Sequence, residues 1–311
     1  MRAVAIKQYG GIEQLKEIEL ERPTIESGQV LVRLEATSVN PIDWKLREGY
    51  LRQMLDWSFP IVLGWDAAGV IEEVGANVTE WKVGDRVFAR PETTRHGTYA
   101  EFVAVDAHLL SFIPDNMTSV EAAAVPLAGL TAWQALFTHG NVAEGERVLI
   151  HAGAGGVGHL AIQLAKHAGA YVYTTASKKN HELVKQLGAD EVIDYKTESF
   201  ENRLSELDLV FDTVGGDVQS NSYKVLKKET GRLVTIVGIQ DEKEAAAYDV
   251  KAYGVWLEPD GEQLKRLAAL VEESQLKVVI HASYPFSEKG IKDAHSLSET
   301  GHVSGKIVIT F

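Results

Sequence analysis

A glycine-rich segment between two apolar stretches constrains this chain more than any other feature. Residues 153–158 read GAGGVG and fit the pattern G-x-G-x-x-G, which is weak evidence when it stands alone. Here the segment follows a strand predicted over Arg147–His151 and opens a helix predicted over Val157–Ala168. A strand before and a helix after are the context that favours a dinucleotide-binding loop over a turn that binds nothing.

Each glycine of this segment has a separate physical task. The first permits a tight turn, the second lets backbone N–H groups approach a pyrophosphate, and the third allows close contact between helix and strand. The amino terminus of the helix adds partial positive charge toward the phosphates. The residues predicted to contact the cofactor in this loop are Gly153, Gly155, Gly156, Val157 and Gly158.

The hydrophobic pattern divides the chain into two kinds of structure. From residue 147 onward, strands alternate with helices, which predicts a doubly wound parallel sheet with helices on both faces. Earlier, many short strands are separated by Gly and Pro, and the tail returns to that style. A chain of 311 residues suits two domains. We therefore predict an α/β protein with a β-rich domain formed by residues 1–119 with 275–311 and a Rossmann domain over residues 120–274. A helix predicted over Leu264–Glu273 falls in the Rossmann domain by this division.

The end of the second parallel strand indicates which dinucleotide is bound. NAD-binding domains usually place an acidic residue there to hold the ribose 2′-hydroxyl. Here the strand Tyr171–Thr175 is followed by ASKKN, with no carboxylate. Ser177 and Lys178 can instead hold a 2′-phosphate, one by a hydrogen bond and one by charge. The alternative, solvated lysines at a helix start, is electrostatically disfavoured. This comparison favours NADPH over NADH.

Two further loops follow predicted strands, where doubly wound sheets bind their ligands. They are residues 212–216 and 237–239, and they supply Val214, Gly238 and Ile239 as candidate contacts for ribose and nicotinamide. Ordinary strand-to-helix turns are the alternative. Tyr195, after a third strand, is a candidate contact for the adenosine, with a plain packing role as the alternative.

Charge and residue usage exclude several classes of function. The formal net charge of −13 disfavours nucleic acid and anionic membranes as partners. The absence of cysteine excludes disulfides, thiolate zinc sites and thiol nucleophiles. The histidines show no H-E-x-x-H arrangement, and Asp43 and Asp66 are expected to be turn or buried hydrogen-bonding residues. No apolar stretch is long enough to span a bilayer, so we expect a cytoplasmic protein.

With these residues in view, the chain resembles the zinc-independent quinone oxidoreductase branch of the medium-chain dehydrogenase/reductase superfamily. The resemblance implies a GroES-like catalytic domain beside the Rossmann domain. It rests on an ordered series of segments across nearly all of the chain: SVNPID at 38–43, LGWDAAG at 63–69, VGDRV at 83–87, LAGLTA at 127–132, the loop at 153–158, LGAD at 187–190, DTVGG at 212–216 and GKIV at 305–308.

The resemblance also indicates which metal chemistry is missing. Zinc-dependent relatives hold a catalytic metal with Cys and His, but Asn40 stands in the cysteine place, and Trp65 stands in the histidine place. Zinc needs about four N, S or O ligands, which an amide and an indole do not replace. The four cysteines of a structural zinc lobe are also missing. We therefore expect no metal.

The activity implied by the resemblance is reduction of a quinone or an α,β-unsaturated carbonyl compound by NADPH. Asn40 matches a polar residue beside the nicotinamide. Tyr50 matches a proposed proton donor, for which water is a competitor and a rim position is the alternative. Thr131 matches a contact near the nicotinamide end of the cofactor, and Lys306 matches a tail lysine near the cofactor. Ser177, Lys178 and Tyr195 match the 2′-phosphate pocket of NADPH-using members.

Many relatives form homodimers through an edge strand of the Rossmann sheet, and Tyr253–Leu257 is the candidate edge here. The tryptophans Trp44, Trp57 and Trp65 are expected near the substrate pocket. A non-catalytic NADPH-binding sensor or structural protein on the same fold remains the alternative function.

Overall fold

The computed structural model describes all 311 residues, which form two compact units. The first unit comprises Met1–Leu127, Pro259–Ser274 and Val278–Phe311. The second comprises Ala128–Glu258 and Gln275–Lys277. The first unit is therefore assembled from both ends of the chain, and most of the second is one continuous segment.

The amino-terminal segment of the first unit is rich in short strands, as its Gly and Pro spacing predicts. The strands are β1 Arg2–Ile6, β2 Lys16–Glu19, β3 Gln29–Val39, β4 Ile61–Val62, β5 Ala67–Val74, β6 Arg86–Ala89, β7 Phe102–Asp106 and β8 Leu110–Phe112. Two short helices belong to this segment, α1 Pro41–Arg47 and α2 Ser119–Ala123, and α3 Pro126–Trp133 begins at its end.

The second unit contains a six-stranded sheet in which every strand pair is parallel. Its strands are β9 Arg147–Ile150, β10 Tyr171–Thr175, β11 Glu191–Ile193, β12 Leu209–Asp212, β13 Arg232–Thr235 and β14 Lys251–Gly254. Their order is β11-β10-β9-β12-β13-β14, which is the 3-2-1-4-5-6 order of a Rossmann sheet. The helices between the strands are α4 Gly158–His167, α5 His181–Gln186, α6 Asp217–Tyr223 and α7 Glu242–Ala247. The predicted α/β class with a doubly wound parallel sheet is confirmed.

The carboxyl-terminal segments complete the first unit with α8 Gly261–Glu272, β15 Ile280–Pro285, α9 Glu288–Glu299 and β16 Lys306–Thr310. β16 pairs antiparallel with β3, so the tail adds strands to a sheet that the amino-terminal segment began. The resulting seven-stranded sheet has the order β15-β16-β3-β5-β6-β8, and β7 also pairs with β3.

Helix α8 clusters with the first unit, although the domain prediction placed residues 120–274 together. The helix packs against β8. At Gly261 the contact is so close that a Cβ atom would lie 2.1 Å from the carbonyl oxygen of His108. Packing between segments distant in sequence therefore decides where this helix belongs, and its local pattern does not show it.

Four neighbouring strands of the seven-stranded sheet begin or end at the same end of the sheet. β3 ends and β16 begins there, since Val39 pairs with Ile307. β5 begins and β6 ends there too, since Ala67 pairs with Ala89. The polar residues at or just beyond these strand ends are Lys306, Asn40, Asp66 and Arg90, in the order of the strands.

No helix of the structure combines the length and the apolar character that a bilayer crossing requires.

Candidate active site

The glycine-rich segment lies between β9 and α4, at the carboxyl end of the central parallel strands. Gly153 and Gly158 are fixed by packing inside the protein. A Cβ at Gly153 would lie 2.0 Å from Thr174 Oγ1, and one at Gly158 would lie 2.4 Å from the carbonyl oxygen of Ala152. The left-handed residue of the turn is Ala152, with φ of 51°, whereas Gly153 has no positive φ.

Gly155 differs from the other two glycines of the motif. A Cβ there would meet one atom alone, the carbonyl oxygen of Ala152 at 3.1 Å. Gly155, Gly156 and Val157 are half-buried and directly precede α4. The N–H of Gly155 donates to Ala152, and that of His159 donates to Gly155, whereas the N–H groups of residues 156–158 make no backbone hydrogen bond. This open backbone cradle fits a pyrophosphate, as the motif predicts.

His151 anchors the loop from beneath. Its ring is buried, with Nδ1 3.2 Å from Thr175 Oγ1 and Nε2 3.0 Å from Ser222 Oγ. Burial lowers the pKa of His151 to about 4, so the imidazole is neutral at physiological pH. Thr175 Oγ1 also accepts a hydrogen bond from the N–H of Ala152. The histidine is therefore a support for the loop, in agreement with the packing role expected for most histidines of this chain.

The ends of β10 and β11 bring the predicted 2′-phosphate residues to one place. Thr175 and Ile193 are register partners in adjacent parallel strands. Ser177 and Tyr195 each come two residues after this pair, and Lys178 follows Ser177. Ser177 is buried, Lys178 is exposed and Tyr195 is 52% exposed. No acidic residue stands at the end of β10.

The loops after β12 and β13 are tied together by Asp212, whose role the sequence did not reveal. Its Oδ1 accepts hydrogen bonds from the N–H groups of Val214 and Gly215, at 2.9 and 2.8 Å. Its Oδ2 accepts from Gln219 Nε2, which also donates to the carbonyl oxygen of Gly238. The structure thus joins the two loops that were predicted to contact ribose and nicotinamide, and leaves Val214 half exposed. An acidic residue at a strand end before two glycines was the available signal.

Thr131 and Ile239, two other predicted contacts, belong to the same unit. Thr131 lies on α3 and is 6% exposed, and Ile239 is half-buried in the loop after β13. Their contact with a cofactor stays a prediction.

Four residues at or near these strand ends form a hydrogen-bonded group: Asn40, Asp43, Asp66 and Lys306. We call this group the edge cluster. Asp66 Oδ2 accepts a hydrogen bond from Asn40 Nδ2 at 2.7 Å and lies 3.5 Å from Lys306 Nζ. Lys306 Nζ donates to Asn40 Oδ1. The sequence singled out Asn40 and Lys306, but gave no signal that they would meet.

Backbone and hydroxyl groups hold Asp66 in place within the edge cluster. Its Oδ1 accepts from the N–H of Leu127 at 2.6 Å, and its Oδ2 accepts from Ser38 Oγ. All four side chains of the cluster are at most 3% exposed. Burial lowers the pKa of Lys306, while the two carboxyl groups nearby oppose that shift. The expectation that Asp43 and Asp66 are buried hydrogen-bonding residues agrees with this arrangement.

Asp43 connects the edge cluster to a chain of hydrogen bonds with a fixed direction. Arg47 Nη1 lies 3.4 Å from Nδ1 of His295, and His295 Nε2 lies 3.1 Å from the Tyr99 hydroxyl. Tyr99 donates to Asp43 Oδ2 at 2.9 Å. Because arginine only donates, His295 accepts at Nδ1 and carries its proton on Nε2. Every donor in the chain therefore points toward Asp43.

Burial sets the charge states of His295 and Asp43 in this series of hydrogen bonds. It lowers the pKa of His295 to about 3, so the imidazole is neutral, and it raises the pKa of Asp43 to about 7. Asp43 Oδ2 also accepts from the backbone N–H of Asn40 at 2.8 Å, whereas Oδ1 is buried without a partner. Asp43 thereby fixes the backbone at the start of α1, where Asn40 stands.

Tyr50 lies apart from these hydrogen bonds. It follows α1, is 69% exposed, and its ring meets Trp44 edge to face at 6.2 Å. Its hydroxyl makes no hydrogen bond in the structure. A role for Tyr50 as proton donor or as a rim residue stays a prediction.

Trp65 shows that the place of a metal-binding histidine is filled by core packing. It is fully buried, and its ring centroid lies 6.1 Å from that of Trp57. Its indole N–H donates to the carbonyl oxygen of Thr94. No group of three or more His, Cys, Asp or Glu side chains is placed to hold a metal ion. The donor set therefore does not fit a zinc ion.

Comparisons with known proteins agree with both parts of this description. Residues 26–115 match the alcohol dehydrogenase GroES-like domain, and residues 187–309 match the family described as zinc-binding dehydrogenase. The chain is 37% identical to 2-methylene-furan-3-one reductase of Solanum lycopersicum, over 99% of this chain and 79% of that protein.

Two further relatives extend these similarities. The chloroplastic NADPH-dependent alkenal/one oxidoreductase of Arabidopsis thaliana is 36% identical, with the same coverage of both chains. The solved structure of the quinone oxidoreductase from Coxiella burnetii superimposes with a TM-score of 0.93 and 39% identity, and covers 100% of this chain and 99% of that one.

Proposed function

This chain belongs to the medium-chain dehydrogenase/reductase superfamily, and we propose from that premise that it is an oxidoreductase that uses NADPH to reduce a quinone or an α,β-unsaturated carbonyl compound without zinc. The observation that carries the proposal is the open glycine cradle at Gly155 in a Rossmann sheet whose second strand ends in Ser177 and Lys178. The names of the relatives support the same class of acceptor.

The residues that would hold NADPH fall into three groups. The glycine loop would take the pyrophosphate on its backbone N–H groups. Ser177, Lys178 and Tyr195 would take the 2′-phosphate. The groups proposed for the nicotinamide end and the adjoining ribose are Asn40, Thr131, Val214, Gly238, Ile239 and Lys306. When bound, NADPH supplies the hydride that the reduction requires.

The chain itself contributes a preorganised donor for the charge that develops on the acceptor oxygen. Asn40 is buried in the edge cluster and uses one Nδ2–H on Asp66, which leaves the other for a carbonyl oxygen. A fixed donor in a site with little water stabilises an oxyanion more than it stabilises the neutral ground state. The proton that completes the reduction would come from Tyr50 or from water.

The substitution Tyr50→Phe separates these two sources of the proton. If Tyr50 is the donor, the substitution lowers kcat and changes the alkaline limb of the pH–rate profile. If the rate and the profile are unchanged, water is the donor.

A zinc-dependent mechanism does not fit the donor set, since Asn40 and Trp65 stand where a thiolate and an imidazole would be needed. Metal analysis of the purified protein, together with activity after chelation, tests this part. Stoichiometric zinc that is required for turnover would contradict the proposal.

Turnover itself is tested by following NADPH oxidation with a panel of quinones, alkenals and enoyl thioesters. We expect steady oxidation with at least one acceptor, and less with NADH. Tight NADPH binding without turnover on the whole panel would favour the second candidate, a non-catalytic NADPH sensor or structural protein.

A homodimer through the edge of the Rossmann sheet forms part of the proposal. β14 pairs with β13 alone, so one side of Lys251–Gly254 has free backbone groups, and Trp256 beyond it is 49% exposed. The strand contains only the first two residues of the predicted edge Tyr253–Leu257, because residues 255–257 lie outside it. Sedimentation of the wild type and of Ala252→Pro, which cannot donate at the edge, tests this interface. If the wild type sediments as a monomer, with the same mass as the variant, the proposed interface is contradicted. A cytoplasmic location stays a prediction, and the lack of nucleic acid and membrane partners stays a prediction from the acidic composition.

A further inference from the structure

We infer that Lys306 and Asp66 are positioning residues that fix the orientation of the Asn40 carboxamide and so restrict it to donating a hydrogen bond to an acceptor. The inference rests on the proposed function in one respect, that Asn40 meets the compound to be reduced. It specifies the atom recognised there as a carbonyl or quinone oxygen, which accepts a hydrogen bond and has none to donate.

The two charged neighbours contact opposite ends of the amide. Asn40 Oδ1 accepts from Lys306 Nζ, and Asn40 Nδ2 donates to Asp66 Oδ2 at 2.7 Å. A rotated amide would place its NH₂ group against an ammonium, which is a donor only. It would also place its oxygen against a carboxylate, which is an acceptor only. Rotation is therefore opposed at both ends.

Burial makes this restraint strong. Asn40 is 2% exposed, Lys306 3% and Asp66 0%, so water does not replace either partner. Charge-assisted hydrogen bonds in such surroundings are stronger than neutral ones in water. Lys306 and Asp66 are themselves an ion pair with 3.5 Å between Nζ and Oδ2. The pair therefore stays together as one unit around the amide.

Asp66 is held independently of Asn40. Its Oδ1 accepts from the N–H of Leu127 at 2.6 Å, and its Oδ2 accepts from Ser38 Oγ on β3. Lys306 is the first residue of β16, whose next residue pairs with Val39 on β3. Asp66 is thus held by groups other than Asn40, and the backbone of Lys306 is held by the pairing of β16 with β3. Neither restraint is released if the amide turns.

The consequence for recognition follows from counting hydrogens and lone pairs. Nδ2 has two hydrogens, and Asp66 takes one. The ammonium of Lys306 draws electron density from Oδ1, which makes the remaining N–H a better donor. A hydroxyl group, the product of carbonyl reduction, gains less from this donor than an oxygen that carries developing negative charge.

The test compares Lys306→Met, Lys306→Gln and Lys306→Arg with Lys289→Met, a lysine that is 84% exposed on α9. In Lys306→Met we expect kcat to fall about tenfold or more, with a smaller change in the KM for NADPH, because a misdirected donor costs more in the transition state than the loss of one cofactor contact costs in binding. Lys306→Arg should recover part of kcat, and Lys289→Met should match the wild type. If Lys306→Met does not fold, Lys306→Gln takes its place, because its amide can donate or accept and so no longer opposes rotation of Asn40, and kcat should fall in the same direction.

A second measurement does not depend on activity. In cofactor-free protein made with isotope-labelled asparagine, the Nδ2 protons of Asn40, assigned by their loss in Asn40→Ser, should give two separate NMR signals with slow solvent exchange. Lys306→Met should shift them and speed their exchange, and Lys289→Met should not. Unchanged signals and exchange in Lys306→Met would overturn the inference.

The two readouts separate this inference from the proposed function. A wild type that reduces no quinone or enone contradicts the proposed function, while the amide signals still decide whether Lys306 positions Asn40. An active wild type with the same kcat and the same amide signals in Lys306→Met contradicts the positioning role alone.

Discussion

The glycine loop and the edge cluster are built in opposite ways. The loop consists of consecutive residues, and its shape depends on the absence of side chains at Gly153 and Gly158. The edge cluster consists of side chains from residues far apart in sequence, with Lys306 bonded to a residue 266 positions earlier. A phosphate site can thus be encoded in one short segment, whereas an oriented amide requires most of the sheet.

The sharpest test of this contrast lies within the loop itself, where the largest effect is expected. In Gly153→Ala the new Cβ would lie 2.0 Å from Thr174 Oγ1, so we expect a loss of about 1–3 kcal/mol of stability together with loss of NADPH binding. In Gly155→Ala the methyl group meets a single atom at 3.1 Å, so the variant should lose much less Tm than Gly153→Ala while NADPH binds on the order of tenfold more weakly.

Thermal unfolding and cofactor titration distinguish the two substitutions, with Gly28→Ala as the control because nothing lies within 4 Å of its added Cβ. Equal Tm losses in Gly153→Ala and Gly155→Ala would show that the two glycines do not have separate tasks.

A substitution at Asn40 asks whether the edge cluster acts on the reaction rather than on the cofactor. In Asn40→Ala we expect kcat to fall roughly 10- to 100-fold, with the NADPH affinity largely kept, because the oriented donor is lost. Steady-state kinetics beside direct cofactor titration measure this split. Asn77→Ala, at an exposed asparagine, is the control. A loss of affinity without a loss of kcat would place Asn40 in cofactor binding only.

The expected preference of the cofactor site for NADPH over NADH depends on Lys178. Removing this exposed charge in Lys178→Ala should weaken NADPH by about tenfold or more and leave NADH nearly unchanged, since only NADPH carries the 2′-phosphate. Lys179→Ala, at the next exposed lysine, should affect NADPH less. If both dinucleotides lose the same affinity in Lys178→Ala, the 2′-phosphate is not held there.

The smallest expected effect is a dependence of the protein's stability on pH, which comes from Asp43 in the edge cluster. Burial raises the pKa of Asp43 from 3.8 to about 7, so between these values the folded state binds more protons than the unfolded chain. The stabilisation from this group is therefore fully present below pH 3.8 and is lost as the pH rises toward 7.

Asp43→Asn removes this titration and keeps an oxygen acceptor for the N–H of Asn40 and for the hydroxyl of Tyr99. Its Tm relative to the wild type should therefore rise by a few degrees between about pH 5 and about pH 8. Asp115→Asn, at an exposed aspartate, should show no such trend. A difference that does not change with pH would mean that Asp43 titrates in the folded protein as it does in the unfolded chain.

The same contrast explains what could be predicted from the sequence. The strand, loop and helix around residues 153–158 were predictable because each follows from a local pattern. The order of the parallel strands agrees with the general rules for such alternation. Ser177 and Tyr195 were identified separately, and the register of β10 and β11 brings them to one place.

The partners of Asn40 were not predictable in this way. Nothing near Lys306 in the sequence indicates that its ammonium meets an amide at the end of β3, because that contact depends on the pairing of β16 with β3. Asp212 joins two loops through Gln219, a residue that no motif marks. The helix α8 has an ordinary amphipathic pattern, and its close contact at Gly261 decides its place.

The pairing of β16 with β3 also matters for the order in which the protein matures on the ribosome. Synthesis proceeds from the amino end, and domains fold as units while it continues. The segment Ala128–Glu258, with the glycine loop, is finished well before Lys306 emerges. The nascent first unit must therefore wait with the edge of β3 unpaired and Asn40 without its cation. The five residues of the last strand complete the sheet and, in the same event, orient the amide.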